Sequence, residues 1–263
     1  MNKQRANPTS GYEYHVLRDG WIKIEADDYN VGGRAFPSGR MLLGLNQLLV
    51  RIGRKYILVD TGLGAKWRPE EIGLLDYQRP RRMLTELRAR GLMPKDIDIV
   101  ILSHLHYDHS GGGSAINPEG KLAPVFTNAL YYIQKAELDF AVRPPELYRE
   151  DYRPEDFQPL RLAGQLIEVE GDKEIYPGVQ LFLTGGHSPG HQVVVFSGDK
   201  STLFYPGDLI STREHANLTT TMSYDYNREE VLRQRRRWLP AAQEGGWDCI
   251  FCHAFKEPAG KLQ

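Results

Sequence analysis

The decapeptide SHLHYDHSGG, Ser103 to Gly112, constrains this chain more than any other stretch. It sets His104, His106, Asp108 and His109 directly after DIVILS, Asp98 to Ser103, a short apolar run whose β-branched residues read as a buried strand. Loops at strand ends are where α/β folds mount their sites. In extended backbone, side chains two apart point the same way, so His104 and His106 can share one metal. Asp108 and His109 turn elsewhere and can begin a second site. Imidazoles with a carboxylate suit zinc, and also iron, manganese or cobalt. The competing reading is a polar turn with chance histidines. So tight a crowd beside an acid, drawn from only 8 histidines, weighs against it.

The surrounding pattern predicts one α/β domain over residues 1–263, with no repeat and no composition break. YEYHVL, WIKIEA, LNQLLVRIG and KYILVD read as strands, with a Gly-rich loop from Asp27 to Arg40 between the second and third. PRRMLTELRARGL reads as a helix with Pro80 in its first turn, Met83, Leu84 and Leu87 on one face, and Gly91 closing it. PVFTN and LYYI are expected strands, followed by a helical QKAELDFAV. The proline-rich stretch Arg143 to Pro159 reads as a surface excursion. VQLFLT, QVVVFSG, TLFYPG and WDCIFC are later strands. A last helix begins at Asn227, an N-cap with Glu230 three residues on, and carries Val231, Leu232, Trp238 and Leu239 at helical spacing.

CIFCHAF, Cys249 to Phe255, has the C-x-x-C-H spacing of c-type haem attachment. Strand alternation puts Cys249, Phe251 and His253 on one face and Cys252 on the other. The two thiols then diverge, which disfavours a disulfide, one shared metal or a haem, and both read as buried packing residues. Lys plus Arg, at 33, nearly balances Asp plus Glu, at 34, so no charge excess gathers nucleic acid or an acidic membrane. RQRRRW, Arg233 to Trp238, reads as a solvated helix face. No apolar run follows the basic N-terminal residues and none is long enough to span a bilayer. With two cysteines, these features lead us to expect a cytoplasmic protein acting on a small molecule.

H-x-H-x-D-H resembles the signature of the metallo-β-lactamase superfamily, and further motifs of that superfamily follow in order. They are ILVDTGLG with Asp60, TGGHSPGH with His187, FYPGDLI with Asp208 and IFCHAF with His253. The resemblance implies a four-layer αββα sandwich of two mixed sheets flanked by helices, and two divalent metal ions, zinc before iron, manganese or cobalt. His104, His106 and His187 would hold the first ion and Asp108, His109 and His253 the second, with Asp208 touching both. Asp60 would stand one step outside, and His191 would pack or hydrogen-bond locally. A homodimer is implied by resemblance alone.

Two ions sharing a carboxylate can share a hydroxide, which makes the expected reaction hydrolysis of an ester-like bond, with Asp108 passing a proton to the departing alkoxide. TGGHSPGHQVVVF followed by LFYPGDLI is most similar to the N-acyl-homoserine lactone lactonases. Those carry a Tyr three residues beyond the bridging Asp; here Ser211 stands there, with Tyr224 as a substitute from the neighbouring loop. Alternatives are a glyoxalase II-like thioesterase, an organophosphate or phosphodiester hydrolase, and a catalytically silent ligand-binding relative. The loops Asp27 to Arg40, Arg143 to Pro159 and Ser211 to Tyr226 are candidate substrate walls, with local packing or a dimer contact as the equal alternative.

Overall fold

A computed structural model describes residues 11–78 and 82–262. The strands are β1 (Tyr12–Glu25), β2 (Arg40–Ile52), β3 (Lys55–Val59), β4 (Ile99–Ile101), β5 (Ser114–Ile116), β6 (Leu122–Pro124), β7 (Leu130–Gln134) and β8 (Leu166–Val169), then β9 (Lys173–Tyr176), β10 (Val179–Leu183), β11 (Gln192–Ser197), β12 (Thr202–Tyr205), β13 (Asp248–Ile250) and β14 (Ala259–Lys261). The helices are α1 (Pro69–Leu74), α2 (Arg82–Ala89), α3 (Tyr107–Ser110), α4 (Lys135–Val142), α5 (Pro154–Leu162) and α6 (Arg228–Glu244). One sheet runs β1-β2-β3-β4-β7-β8 and the other β14-β13-β12-β11-β10-β9, with β5 and β6 a separate hairpin. Both sheets are mixed: β3, β4, β7 and β8 pair in parallel, as do β12 and β13.

Period-two alternation sorts the apolar residues into layers. Leu48, Val50, Ile57 and Val59 of the first sheet meet Leu181, Val194, Phe196 and Leu203 of the second. Their neighbours Leu49, Leu58 and Val100 face outward, under Met83 and Leu87 of α2, Leu138 of α4, and Phe157 and Leu160 of α5. On the far side Val193, Val195 and Phe204 are covered by Val231, Trp238 and Leu239 of α6. Helix, sheet, sheet, helix is the expected αββα sandwich. Each fully buried aliphatic contributes about 1.5–3 kcal/mol. The layers thereby hold the strand ends that carry the motif loops.

Several local expectations are corrected. YEYHVL and WIKIEA form one strand, β1, with a bulge between Arg18 and Gly20 where Asp19 drops out of register. In PVFTN only Pro124 belongs to a strand, and Phe126 packs into the core from a bend. The stretch Arg143 to Pro159 is only partly an excursion: Pro154 opens α5, whose Phe157 and Leu160 are core residues. Pro159 lies inside that helix and cannot bond the Glu155 carbonyl four residues back; Ser114 Oγ donates to that carbonyl instead, at 2.6 Å. Asn227 caps α6 by accepting from the Glu230 amide at 3.1 Å, as expected. Arg235 breaks the expected solvated face: it is fully buried, its Nε donating to the Leu209 carbonyl at 2.6 Å. The expectation at Pro80 lies outside the described residues.

Candidate metal centre

The motif loops converge beyond the ends of β3, β4, β12 and β13, where two pairs of parallel strands present their carboxyl ends. Asp60 follows β3 in left-handed backbone, φ 59°, a conformation costly for a non-glycine residue and here held by four bonds to its side chain. Ser103 N, Ser103 Oγ, His109 Nδ1 and Tyr205 Oη lie 2.7, 2.8, 2.7 and 2.8 Å from its carboxylate oxygens. The glycines after His109 allow a close approach: a Cβ on Gly112 would stand 2.0 Å from the Thr61 carbonyl. Lys66 reaches into the same junction, its buried ammonium 2.9 Å from Asp156 and 2.9 Å from the Ser114 carbonyl.

Two donor groups result. His104, His106 and His187 form one, and His109, Asp208, Cys252 and His253 the other, the ligand atoms of each lying within 4.8 Å of one another. In the first, His106 Nδ1 is 3.1 Å from His187 Nε2. In the second, His109 Nε2 is 3.1 Å from His253 Nε2. Asp108 Oδ2 stands 3.5 Å from His253 Nε2. Asp208 lies between the groups, Oδ2 3.3 Å from His187 Nε2 and Oδ1 3.1 Å from His253 Nε2.

Proton bookkeeping shows what these atoms need. His253 Nδ1 faces the Gly44 carbonyl at 3.0 Å, so it carries the proton and leaves Nε2 as a lone pair. His187 Nδ1 donates to Asp225 at 2.9 Å and His109 Nδ1 to Asp60, with the same result in the neutral ring. Ser103 Oγ, already donating to Asp60, accepts from His104 Nδ1 at 3.0 Å, and the buried His104 Nε2 has no hydrogen-bond partner among the described residues. Lone pairs and a carboxylate facing each other at these distances repel unless a cation lies among them. Imidazoles whose second nitrogen is held by a carboxylate or carbonyl are the usual metal ligands. The residues therefore fit divalent metal. Burial opposes charge on His109, yet Asp108, Asp208 and Asp60 push its pKa well above the ordinary value, a second sign that the pocket calls for a cation. Burial also opposes ionisation of Asp208, but His253, His109 and His187 hold it well below the usual carboxylate range.

His191 hydrogen-bonds locally, as expected: Nδ1 meets Thr184 Oγ1 at 2.7 Å and Nε2 accepts from the Asp208 amide at 3.0 Å, which orients that residue. Three functional residues escaped the sequence reading. Glu137, wholly buried on α4, accepts from the Leu105 amide at 3.0 Å, the Gly190 amide at 3.0 Å and Ser188 Oγ at 2.6 Å. It staples the loop of His104 and His106 to the loop of His187. Asp225 orients His187. The third is a phenol. Tyr224 lines the cleft, as expected, with its hydroxyl donating to Asp28 at 3.1 Å. Tyr29 is buried, its hydroxyl has no hydrogen-bond partner among the described residues, and it lines the cleft with Asp108 and Asp208. Burial, then Asp208 and Asp108, raise its pKa well above the ordinary value, so it stays a donor. Ser211 explains why: its Oγ meets His215 Nδ1 at 3.2 Å, and His215 Nε2 donates to the Tyr29 carbonyl at 2.9 Å and packs on its ring.

The Cys249 and Cys252 side chains do diverge, into the outer and the inter-sheet cores, and both are free. Two details are corrected. β13 ends at Ile250, and although Phe251 and Cys252 keep the alternation, His253 leaves the Cys249 face and joins Cys252 at the donor group. Cys252 is therefore more than packing, its Sγ lying 3.0 Å from Asp208 Oδ1. Over the donors lies a cleft of about 60 Å³ lined by Ile22, Ile24, Leu43, Tyr29 and Tyr107. Asp151 and Tyr224 border both this cleft and a groove of about 840 Å³ between residues 146–151 and 223–229.

An N-acyl homoserine lactonase of Bacillus cereus is 42% identical over 122 residues, which are 46% of this chain and 42% of that protein. The chain thus matches less than half the length of that curated relative. A probable metal-dependent hydrolase from Staphylococcus aureus superposes with a TM-score of 0.83 at 22% identity, covering 93% of this chain and 90% of the other. An N-acyl homoserine lactone hydrolase with N-hexanoyl-L-homoserine at its catalytic metal centre superposes with a TM-score of 0.75 at 25% identity, covering 95% of each chain. Among the described residues no helix is long and apolar enough to cross a membrane. The family model of the metallo-β-lactamase superfamily matches residues 42–253, and the chain belongs to that superfamily.

Proposed function

We propose that this chain is a metal-dependent hydrolase that opens the ring of a neutral lactone of the N-acyl-homoserine type. His104, His106 and His187 would hold one divalent ion and His109, His253 and Asp108 a second, with Asp208 available to both and zinc suiting these donors best. Bound there, such ions supply Lewis acidity and lower the pKa of water from about 15.7 towards 7. Tyr29 donates its phenolic hydrogen to the ester carbonyl oxygen as that oxygen gains charge. Asp108, which lines the cleft, passes a proton to the alkoxide as the ring C–O bond breaks, so water adds across the ester and no other reactant is needed.

The observation that carries the substrate class is the cleft wall. Its apolar residues Ile22, Ile24 and Leu43 accompany the donor groups, and among the described residues no Lys or Arg lines it. An anionic phosphodiester or glutathione thioester would depend on the ions alone for counter-charge in the cleft, beside Asp108 and Asp151, whereas a neutral lactone needs none. A neutral lactone suits the apolar walls of the cleft, and its acyl arm would extend into the adjoining groove. The similarity to lactonases supports the same reading.

The test follows proton release from the metal-loaded protein with an acyl-homoserine lactone, a glutathione thioester, an aryl phosphotriester and a β-lactam, Asp208→Asn serving as control. Lactone opening that disappears in the control is the expected result. Turnover of another substrate with silence on lactones would overturn the substrate class and leave the hydrolase.

A further inference from the structure

We propose that Cys252 adds a sulfur ligand to the second ion, beside His109, His253, Asp108 and Asp208. This rests on metal binding at that group but not on the identity of the substrate. The position of the thiol is built rather than incidental. The turn after β13 is clamped onto β2: Asn46 Nδ2 donates to the Phe251 and Ala254 carbonyls at 3.0 and 2.8 Å, and the Asn46 amide to the Cys252 carbonyl at 2.8 Å. The Gly44 amide donates to the His253 carbonyl at 3.1 Å, and the His253 amide to the Ser211 carbonyl at 2.9 Å. With its backbone held on both sides, Cys252 aims Sγ at Asp208 Oδ1, 3.0 Å away, and that same oxygen is 3.1 Å from His253 Nε2 and 3.5 Å from His109 Nε2.

Donors on one ion, with bonds of about 2.0–2.3 Å, stand roughly 3–4 Å apart. Asp208 Oδ1 already meets Sγ, His253 Nε2 and His109 Nε2 at 3.0, 3.1 and 3.5 Å, and the remaining gaps, none above 4.8 Å, close with shifts of up to about 1 Å. On coordination the thiol gives up its proton to solvent. The consequence is an asymmetric pair. The first ion sees three imidazoles and a carboxylate oxygen, while the second sees nitrogen, oxygen and sulfur and favours softer metals.

The chain has 2 cysteines, which makes the assignment direct. Loaded with Co²⁺, the unaltered protein should show a thiolate-to-cobalt charge-transfer band in the near ultraviolet. Cys249→Ser should keep it. Cys252→Ser should lose it while still binding cobalt, and competition against a chromophoric chelator should show Cd²⁺ affinity down at least about tenfold at one of the two ions. Absence of the band in the unaltered Co²⁺ protein, or its persistence in Cys252→Ser, would overturn the proposal and leave the thiol a hydrogen-bond donor to Asp208. Failure to bind cobalt at all would overturn the metal reading itself. Because the unaltered chain is measured first, a variant that misfolds does not spoil the test.

Discussion

The two donor groups face each other across Asp208 but are built differently. The first takes His104 and His106 from one loop and His187 from another, and its outside support is carboxylate: Glu137 under the backbone of both loops and Asp225 on the His187 ring. The second gathers His109, Asp208, Cys252 and His253 from three loops after β4, β12 and β13, and Asp60 and the edge of β2 hold it. The first group can fail through one buried acid. The second depends on the register of whole strands, which makes it the harder to loosen by a single outside change and the more exposed to loss of its shared ligand.

Asp208→Asn is the strongest way to break the pair, since it removes the charge that both groups use. Activity should fall by roughly 10³-fold or more, about 4 kcal/mol of lost stabilisation, and bound metal should drop towards one ion per chain. Full rate with two ions bound would show that Asp208 is not shared. Next comes the phenol. Tyr29→Phe should cost about 10²–10³-fold in kcat with metal content unchanged, the usual effect of deleting one donor to a developing oxyanion. Tyr224→Phe, which loses a rim bond to Asp28, should change the rate by less than about threefold. A reversed ranking of the two tyrosines would return Tyr224 to the centre.

Glu137→Gln separates the two groups. It keeps the shape of the staple but replaces one acceptor oxygen with a donor facing the Leu105 amide or the Ser188 and Gly190 donors. The first group should lose about 10–100-fold in metal affinity while the second holds its ion, visible as two separated steps in a chelator titration. Equal weakening of both ions would mean that Glu137 supports the fold rather than one group.

The legible part of this site was the part written in neighbours. His104 and His106 follow from alternation after a strand, and Asp60, His187, Asp208 and His253 from motifs in order, because short-range spacing decides where each side chain starts. Glu137 looked like an ordinary acid on a helix in QKAELDFAV; only the packing of α4 against two loops makes it a buried acceptor. Tyr29 sat in a Gly-rich loop whose return over the cleft depends on His215, far away in sequence. Arg235 read as one arginine in a charged run, since the carbonyls that desolvate it belong to Leu209 and Thr220. Alternation gave Cys252 its face correctly and failed one residue later, at His253, because β13 has ended; that Cys252 meets Asp208 depends on a loop 44 residues away.

Asp151 gives the smallest and most specific test, because it feels both groups. Burial raises its pKa to about 6, His187 of the first group pulling it down and Asp108 beside the second pushing it up. An acid whose pKa is higher folded than unfolded makes folding take up a proton between the two values. Its ionisation therefore costs stability as pH rises from about 4 to about 6, and the cost is complete above that. Asp151→Asn removes the cost. In chelator-treated protein the variant should be more stable than the parent at pH 7.5, by about 1 kcal/mol once partial exposure is allowed for, and indistinguishable from it near pH 4. Loading both proteins with zinc should shrink the gap, since a nearby cation favours the carboxylate. If the gap stayed the same on loading, Asp151 would lie outside the field of both ions and would mark the groove, not the metal cleft.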